Sequence, residues 1–158
     1  MGSVARRPAA LVAVVTGLVL VAEAVGAVWL HWFLGEVVSR QSMSLAGLDP
    51  DHMGASTLGL GIVLGLFLLG CAVTLVTAGV RNRAPRSVPR VLLIACAVLH
   101  AVLGALTVGL VGWDAFAFLM TVFGLIVFCL LGFAEGDGAP PSGPATADGG
   151  TAGAPAHP

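Results

Sequence analysis

The chain has 158 residues, of which 58% are hydrophobic and only 9% charged, with a formal net charge of −1 at pH 7. A soluble domain carries about 25% charged residues, so this composition excludes a soluble enzyme, a disordered regulator and a nucleic-acid binder, which would need a basic field. It points to a small polytopic membrane protein of all-α class: four transmembrane helices in a bundle, residues 1–134, followed by a disordered tail, residues 135–158.

Crossing about 30 Å of hydrocarbon takes roughly 20 apolar residues. The first stretch that qualifies runs from about Pro8 to Leu34 and follows Arg6 and Arg7. It contains one acid, Glu23. Ala22-Glu23-Ala24 also imitates a signal-peptide cleavage site, but the apolar run continues through Trp29 to Leu34, well beyond an h-region of about 7–15 residues. Ala9, Ala13 and Gly17 recur at four-residue spacing, as small residues do where helices meet in lipid.

Residues 35–56 are expected to form an outer loop with Arg40 as its only basic group. Within it, Asp49-Pro50-Asp51-His52 offers two carboxylates and an imidazole, a conceivable metal site. The simpler reading is a helix start, with Asp49 as N-cap, Pro50 at the first helical position and Asp51 in the first turn. No metal site and no cofactor is therefore assigned.

The second span covers about Thr57 to Val80 and carries Gly61 and Gly65 as a GxxxG pair. Arg81, Arg83, Arg86 and Arg90 crowd the link that follows. They set topology first and attract anionic lipid second, at about 1 kcal/mol each. The third span, about Val91 to Val111, repeats small residues at Ala97, Ala101, Ala105 and Gly109 and carries His100 and Thr107. A short turn at Gly112-Trp113-Asp114 makes spans three and four an antiparallel hairpin, with Asp114 at a helix N-terminus that favours a carboxylate. The fourth span, about Ala115 to Phe133, holds Thr121 and the bulky Phe116, Phe118, Phe123 and Phe128, read as partly lipid-facing. Of the last 25 residues, 18 are Ala, Gly or Pro, too little apolar bulk to offset the entropy of ordering.

Six of the seven arginines fall on one side of this arrangement. By the positive-inside rule both termini and the 81–90 link are cytoplasmic. Trp29, Trp32 and Trp113 fall at the opposite, outer interface, which suits an apolar ring with a polar N–H. All basic residues are Arg, and Ala, Gly and Val abound, a bias that fits a high-GC bacterial genome and so an inner membrane. Cys71, Cys96 and Cys129 lie inside apolar runs and read as small hydrophobes.

Glu23 is the residue to watch, because an acid at the centre of a span costs about 2.5–3.5 kcal/mol on insertion scales and normally faces the bundle interior. Its helical face includes Thr16, Leu20, Gly26, Ala27 and Leu30. Counted from the outer ends, Glu23 and His100 lie at equal depth, eleven residues in. Thr107 and Thr121 complete a candidate intramembrane polar site. Three readings stay open for Glu23: a proton- or cation-handling carboxylate, a protonated acid joining helices by a hydrogen bond, or a remnant of a signal sequence.

Two resemblances follow from particular segments. WFLGEVVSRQSMSLAGLDPD, Trp32 to Asp51, with LGALTVGLVGWDAFAF, Leu103 to Phe118, resembles small four-span integral membrane proteins of actinobacteria, which implies the four-span topology and no particular activity. VAEAVGA, Val21 to Ala27, is similar to the first-span acid motif of the small multidrug resistance transporters, which implies a shared proton- and cation-binding role for Glu23. The long outer loop, the strong arginine bias and the third span depart from that family. No P-loop, dinucleotide fingerprint, HExxH, GxSxG or CxxC occurs, so no enzyme is assigned. The expected role is structural or accessory, with the bilayer as partner and self-association or a membrane-protein partner through the small-residue faces. The alternative is a small proton-coupled transporter using Glu23.

Overall fold

The computed structural model describes residues 2–41, 50–82 and 87–137, with side chains for residues 8–40, 52–82 and 87–133. These residues form four helices: α1 (Gly2–Gln41), α2 (Pro50–Arg81), α3 (Ser87–Leu110) and α4 (Trp113–Asp137). There is no strand among the described residues. Each helix contains a segment long and apolar enough to cross a membrane, so the fold is all-α and of the polytopic membrane type.

The helices overrun the expected spans. The first and second extend into what the sequence suggested was an outer loop, and α2 begins on Pro50, a residue whose fixed φ suits a helix start. Two features support the extension. Gly35 and Gly54 meet so closely that a Cβ on Gly35 would lie 2.9 Å from the Gly54 carbonyl oxygen, and Arg40 pairs with Glu36 one helical turn earlier at 2.7 Å. The part of the loop between α1 and α2, with Asp49, lies outside the described residues, as do Arg83, Arg86 and residues 138–158 of the tail.

α1 and α2 form the most intimate pair, an antiparallel hairpin in contact along its length. Small residues permit it: a Cβ on Gly79 would lie 2.7 Å from the Ala10 carbonyl oxygen, and one on Gly65 would lie 2.6 Å from Val28 Cγ2. Lipid offers no hydrophobic incentive for helix association, so backbone approach of this kind supplies the van der Waals contact instead. α3 and α4 form a second hairpin, α4 packs on α1, and α2 barely touches α3. The helices thus make a ring with one loose seam, and α1 and α3 face each other across its diagonal.

The connections have local explanations. Asn82, the single Asn of the chain, takes φ +49° directly after α2 and donates its N–H to the Gly79 carbonyl at 3.2 Å. Asn tolerates this left-handed conformation at helix C-termini. Between α3 and α4, the N–H groups of Val111 and Gly112 both donate to the Thr107 carbonyl at 2.9 Å, and Gly112 takes φ +129°. Only glycine adopts that φ without strain, which makes so short a turn feasible.

The core comprises Leu20, Leu75, Leu93, Val122 and Ile126, with Cys71, Cys96 and Cys129. Around it, large side chains such as Leu11, Leu18, Val63, Leu66, Val98 and Leu131 point outward and are more than half exposed. So much uncovered apolar surface has one natural solvent, hydrocarbon.

The packing faces refine three expectations. On α3, Ala97 is buried but Ala105 and Gly109 are exposed. A strict four-residue stripe drifts about 40° per step around a helix of 3.6 residues per turn, so the buried line passes instead through Leu93, Cys96, His100 and Gly104. On α1, Gly26 is exposed with nothing within 4 Å of its would-be Cβ; the packed line follows Thr16, Leu20 and Ala24. On α4, Phe118 and Phe128 face outward, Phe116 is half-buried, and Phe123 packs against the core.

Candidate intramembrane site

Glu23 and His100 meet across the diagonal of the bundle. Glu23 Oε2 lies 3.0 Å from His100 Nε2, with the His100 side chain 3% and the Glu23 side chain 14% exposed. α1 supplies the acid from its middle, and α3 supplies the imidazole from the centre of its buried line. Of the alternatives open for Glu23, this contact is the one that joins helices.

The remaining ring nitrogen fixes the chemistry. His100 Nδ1 lies 2.8 Å from the Cys96 carbonyl oxygen, one turn back on the same helix. A carbonyl only accepts, so Nδ1 carries a hydrogen and donates. One proton therefore bridges Nε2 and Oε2, held either as a carboxylic acid donating to neutral imidazole or as imidazolium donating to carboxylate. Either form leaves the pair with no net charge. That neutrality is what a buried acid requires in a medium of low dielectric.

The second oxygen of Glu23, Oε1, is buried and has no hydrogen-bond partner. The surroundings are otherwise apolar. Among the described residues, only Thr16 and His100 are fully buried polar residues, and the Thr16 hydroxyl is spent on the Val12 carbonyl at 2.8 Å.

Two thiols adjoin the pair. Cys96 Sγ lies 3.7 Å from His100 Nδ1. Cys71, on α2, points its thiol at the Leu92 carbonyl of α3 at 3.7 Å. Cys129, on α4, lies in the same buried core cluster. All three are free and buried.

Of the four residues expected to form the polar site, the structure brings together two. Thr107 bonds back to the Gly104 carbonyl at 2.8 Å, near the α3 terminus, and Thr121 is exposed and bonds to the Ala117 carbonyl at 2.8 Å. Each hydroxyl satisfies itself on its own helix, as Ser and Thr commonly do within helices. Arg81 and Arg90, of the basic link, are exposed. Cys96 was within reach of sequence reasoning, since it sits four residues before His100 on the same helical face. Cys71 was not, because its place depends on how α2 sits against α3.

His31 donates Nδ1–H to the Ala27 carbonyl at 2.7 Å and packs over Gly61. It serves the hairpin and stands apart from the central pair. Comparison with family models, with curated proteins and with solved structures finds no match for this chain.

Proposed function

We propose that the chain is a structural or accessory protein of a bacterial inner membrane, in which Glu23 and His100 clasp α1 to α3. The observation that carries this reading is the self-contained pair. Its shared proton is held at 3.0 Å between two side chains, its imidazole is anchored on the Cys96 carbonyl, and apolar core surrounds it. Such a pair specifies how two helices register, which is the best-attested use of buried polar groups.

The arginine bias supports cytoplasmic termini and a cytoplasmic link between α2 and α3. α1 contributes Ala13, Thr16, Leu20 and Ala24 to the core, which supports its retention as a membrane helix. The bilayer is the primary partner, and the exposed remainder of the α3 small-residue stripe, Ala105 and Gly109, is available for association with another membrane helix. The actinobacterial resemblance fits the same role, and no catalytic chemistry is assigned.

The proton-coupled transporter reading draws on one observation, the unpartnered Glu23 Oε1. A transporter also needs a polar route to its carboxylate, and the groups around this one are apolar. The two readings separate in proteoliposomes under an imposed pH gradient. With a structural clasp, wild type and Glu23→Gln pass protons and organic cations at the same background rate, while Glu23→Leu lowers the yield of assembled protein. A cation-driven flux that disappears in Glu23→Gln at unchanged protein level would overturn the proposal.

A further inference from the structure

We propose that the seam between α2 and α3 binds one anionic phospholipid, with an acyl chain lying in the groove there and the phosphate held by Arg81 and Arg90. This inference goes beyond the clasp of Glu23 and His100 and does not depend on it.

The groove has a volume of about 510 Å³ and is walled by Thr74 of α2 and by Ser87, Val88, Val91, Leu92 and Ala95 of α3. It opens because α2 and α3 barely touch. Their approach centres on Leu92, whose Cδ2 lies 3.7 Å from where a Cβ on Gly70 would stand and whose carbonyl lies 3.7 Å from the Cys71 thiol. From Ser87 to Ala95 the α3 wall is about 12 Å long at a rise of about 1.5 Å per residue. The lining is almost wholly apolar, and on the α2 side the Thr74 hydroxyl is spent on the Gly70 carbonyl at 2.8 Å. Val88 and Val91 are 78% and 65% exposed, so this wall faces hydrocarbon rather than protein, and a flexible chain laid along it gains close contact on two sides.

Charge at one end of the groove selects the occupant. Arg81 follows Thr74 by seven residues, about two helical turns, and so stands on the same face of α2 roughly 10 Å nearer its end. Arg90 lies in the first turn of α3, between Pro89 and Val91 of the wall. Both arginines are exposed, and neither joins an ion pair among the described residues. The first turn of α3 has no acid, and the stretch from Arg81 to Arg90 holds four arginines and no acid. An uncharged chain would leave these cations unanswered, and a soluble anion would leave the groove unused. A phospholipid of net negative charge satisfies both, since its phosphate suits guanidinium donors and its acyl chain continues from that phosphate into the apolar layer.

A second groove, between α1 and α2, lacks half of this arrangement. It is lined by Val25, Trp29, Trp32, Ile62, Leu66 and their neighbours. The arginine at that end of α1, Arg40, is already paired with Glu36 at 2.7 Å. Nothing there distinguishes an anionic lipid from a neutral one, which makes Arg40 the natural control.

The test uses the full chain purified in detergent and given equal amounts of phosphatidylglycerol and phosphatidylcholine with the same acyl chains. Native mass spectrometry then counts the lipids retained, and the expected species is a monomer carrying one phosphatidylglycerol. An arginine beside an anionic lipid is worth a roughly fivefold preference. Arg81→Gln should therefore lower the ratio of phosphatidylglycerol to phosphatidylcholine about fivefold, and the double variant with Arg90→Gln about 25-fold. Arg40→Gln should leave the ratio unchanged. Ala95→Phe fills the groove and keeps the arginines, so it should abolish retention; glycerol phosphate, a headgroup without chains, should not displace the lipid. A phosphatidylglycerol with a diazirine in one acyl chain, retained in the same way and irradiated, should label Thr74 or the segment from Val88 to Ala95. Equal retention of the two lipids, unchanged retention in Ala95→Phe, displacement by glycerol phosphate, labelling confined to α1 and α4, or a lipid-free dimer would each overturn the proposal. The labelled position in the wild-type protein decides the matter even if a variant fails to assemble.

Discussion

Removing His100 isolates what the central pair contributes. In His100→Leu the volume of the side chain is roughly kept, but Glu23 Oε2 loses its partner at 3.0 Å while Oε1 already has none. Both carboxyl oxygens are then unpaired in an apolar core. A neutral carboxylic acid left this way costs about 1–3 kcal/mol, and an ionised one costs about 3–5 kcal/mol. The expected loss is that of an unpaired buried polar group, about 1–3 kcal/mol. Glu23→Leu should cost less than His100→Leu, since the orphaned imidazole keeps its Nδ1 bond to the Cys96 carbonyl. The double variant should cost less than the sum of the two single ones. Unfolding by denaturing detergent in mixed micelles measures all four proteins, and the double-mutant cycle yields the coupling directly. A coupling of about 1 kcal/mol or more is expected, within the range of the stronger interhelical hydrogen bonds measured in membranes. Additivity to within about 0.3–0.5 kcal/mol would refute the clasp.

Other outcomes follow from the packing and the charge pattern. Gly79→Ala places a Cβ 2.7 Å from the Ala10 backbone oxygen; a backbone cannot swing aside as a side chain can, so the α1–α2 hairpin should lose about 1–3 kcal/mol, read as earlier unfolding in the same detergent titration. Gly26→Ala meets nothing within 4 Å and should be neutral or stabilising by up to about 1 kcal/mol through helix propensity; equal destabilisation by both changes would contradict the packing described for α1. Single cysteines placed at Met43 and Arg86 in a cysteine-free chain test the orientation. An impermeant maleimide added to intact cells should label the first and spare the second, and the opposite pattern would reverse the topology.

Two residues of the candidate site are legible in the amino-acid sequence, each for a physical reason. Glu23 stands out because a carboxyl inside an apolar span is costly. His100 is legible by depth, because helices of fixed rise in a layer of fixed thickness bring residues of equal depth to the same level. Thr107 and Thr121 meet the same rough criterion of depth and polarity, yet neither joins. Depth gives one coordinate; rotation about each helix axis gives another, and Thr121 faces outward. The small-residue stripe on α3 misleads for a related reason, since identity at every fourth position is not the same as a straight line down a helix of 3.6 residues per turn.

Four helices long and apolar enough to cross a membrane, and the crowding of arginines before the first and between the second and third, can be read from the chain alone. Those properties depend on local apolar length and local charge, which add up over short stretches of sequence. That α1 and α3 face each other across the bundle, that Cys71 of α2 reaches the Leu92 carbonyl of α3, and that the seam between α2 and α3 stays loose are properties of the folded bundle. They depend on the order and rotation of helices around a ring. In lipid that arrangement comes from close contacts such as Gly79 against Ala10 and Gly104 against Met120, and from the one proton that Glu23 and His100 hold between them.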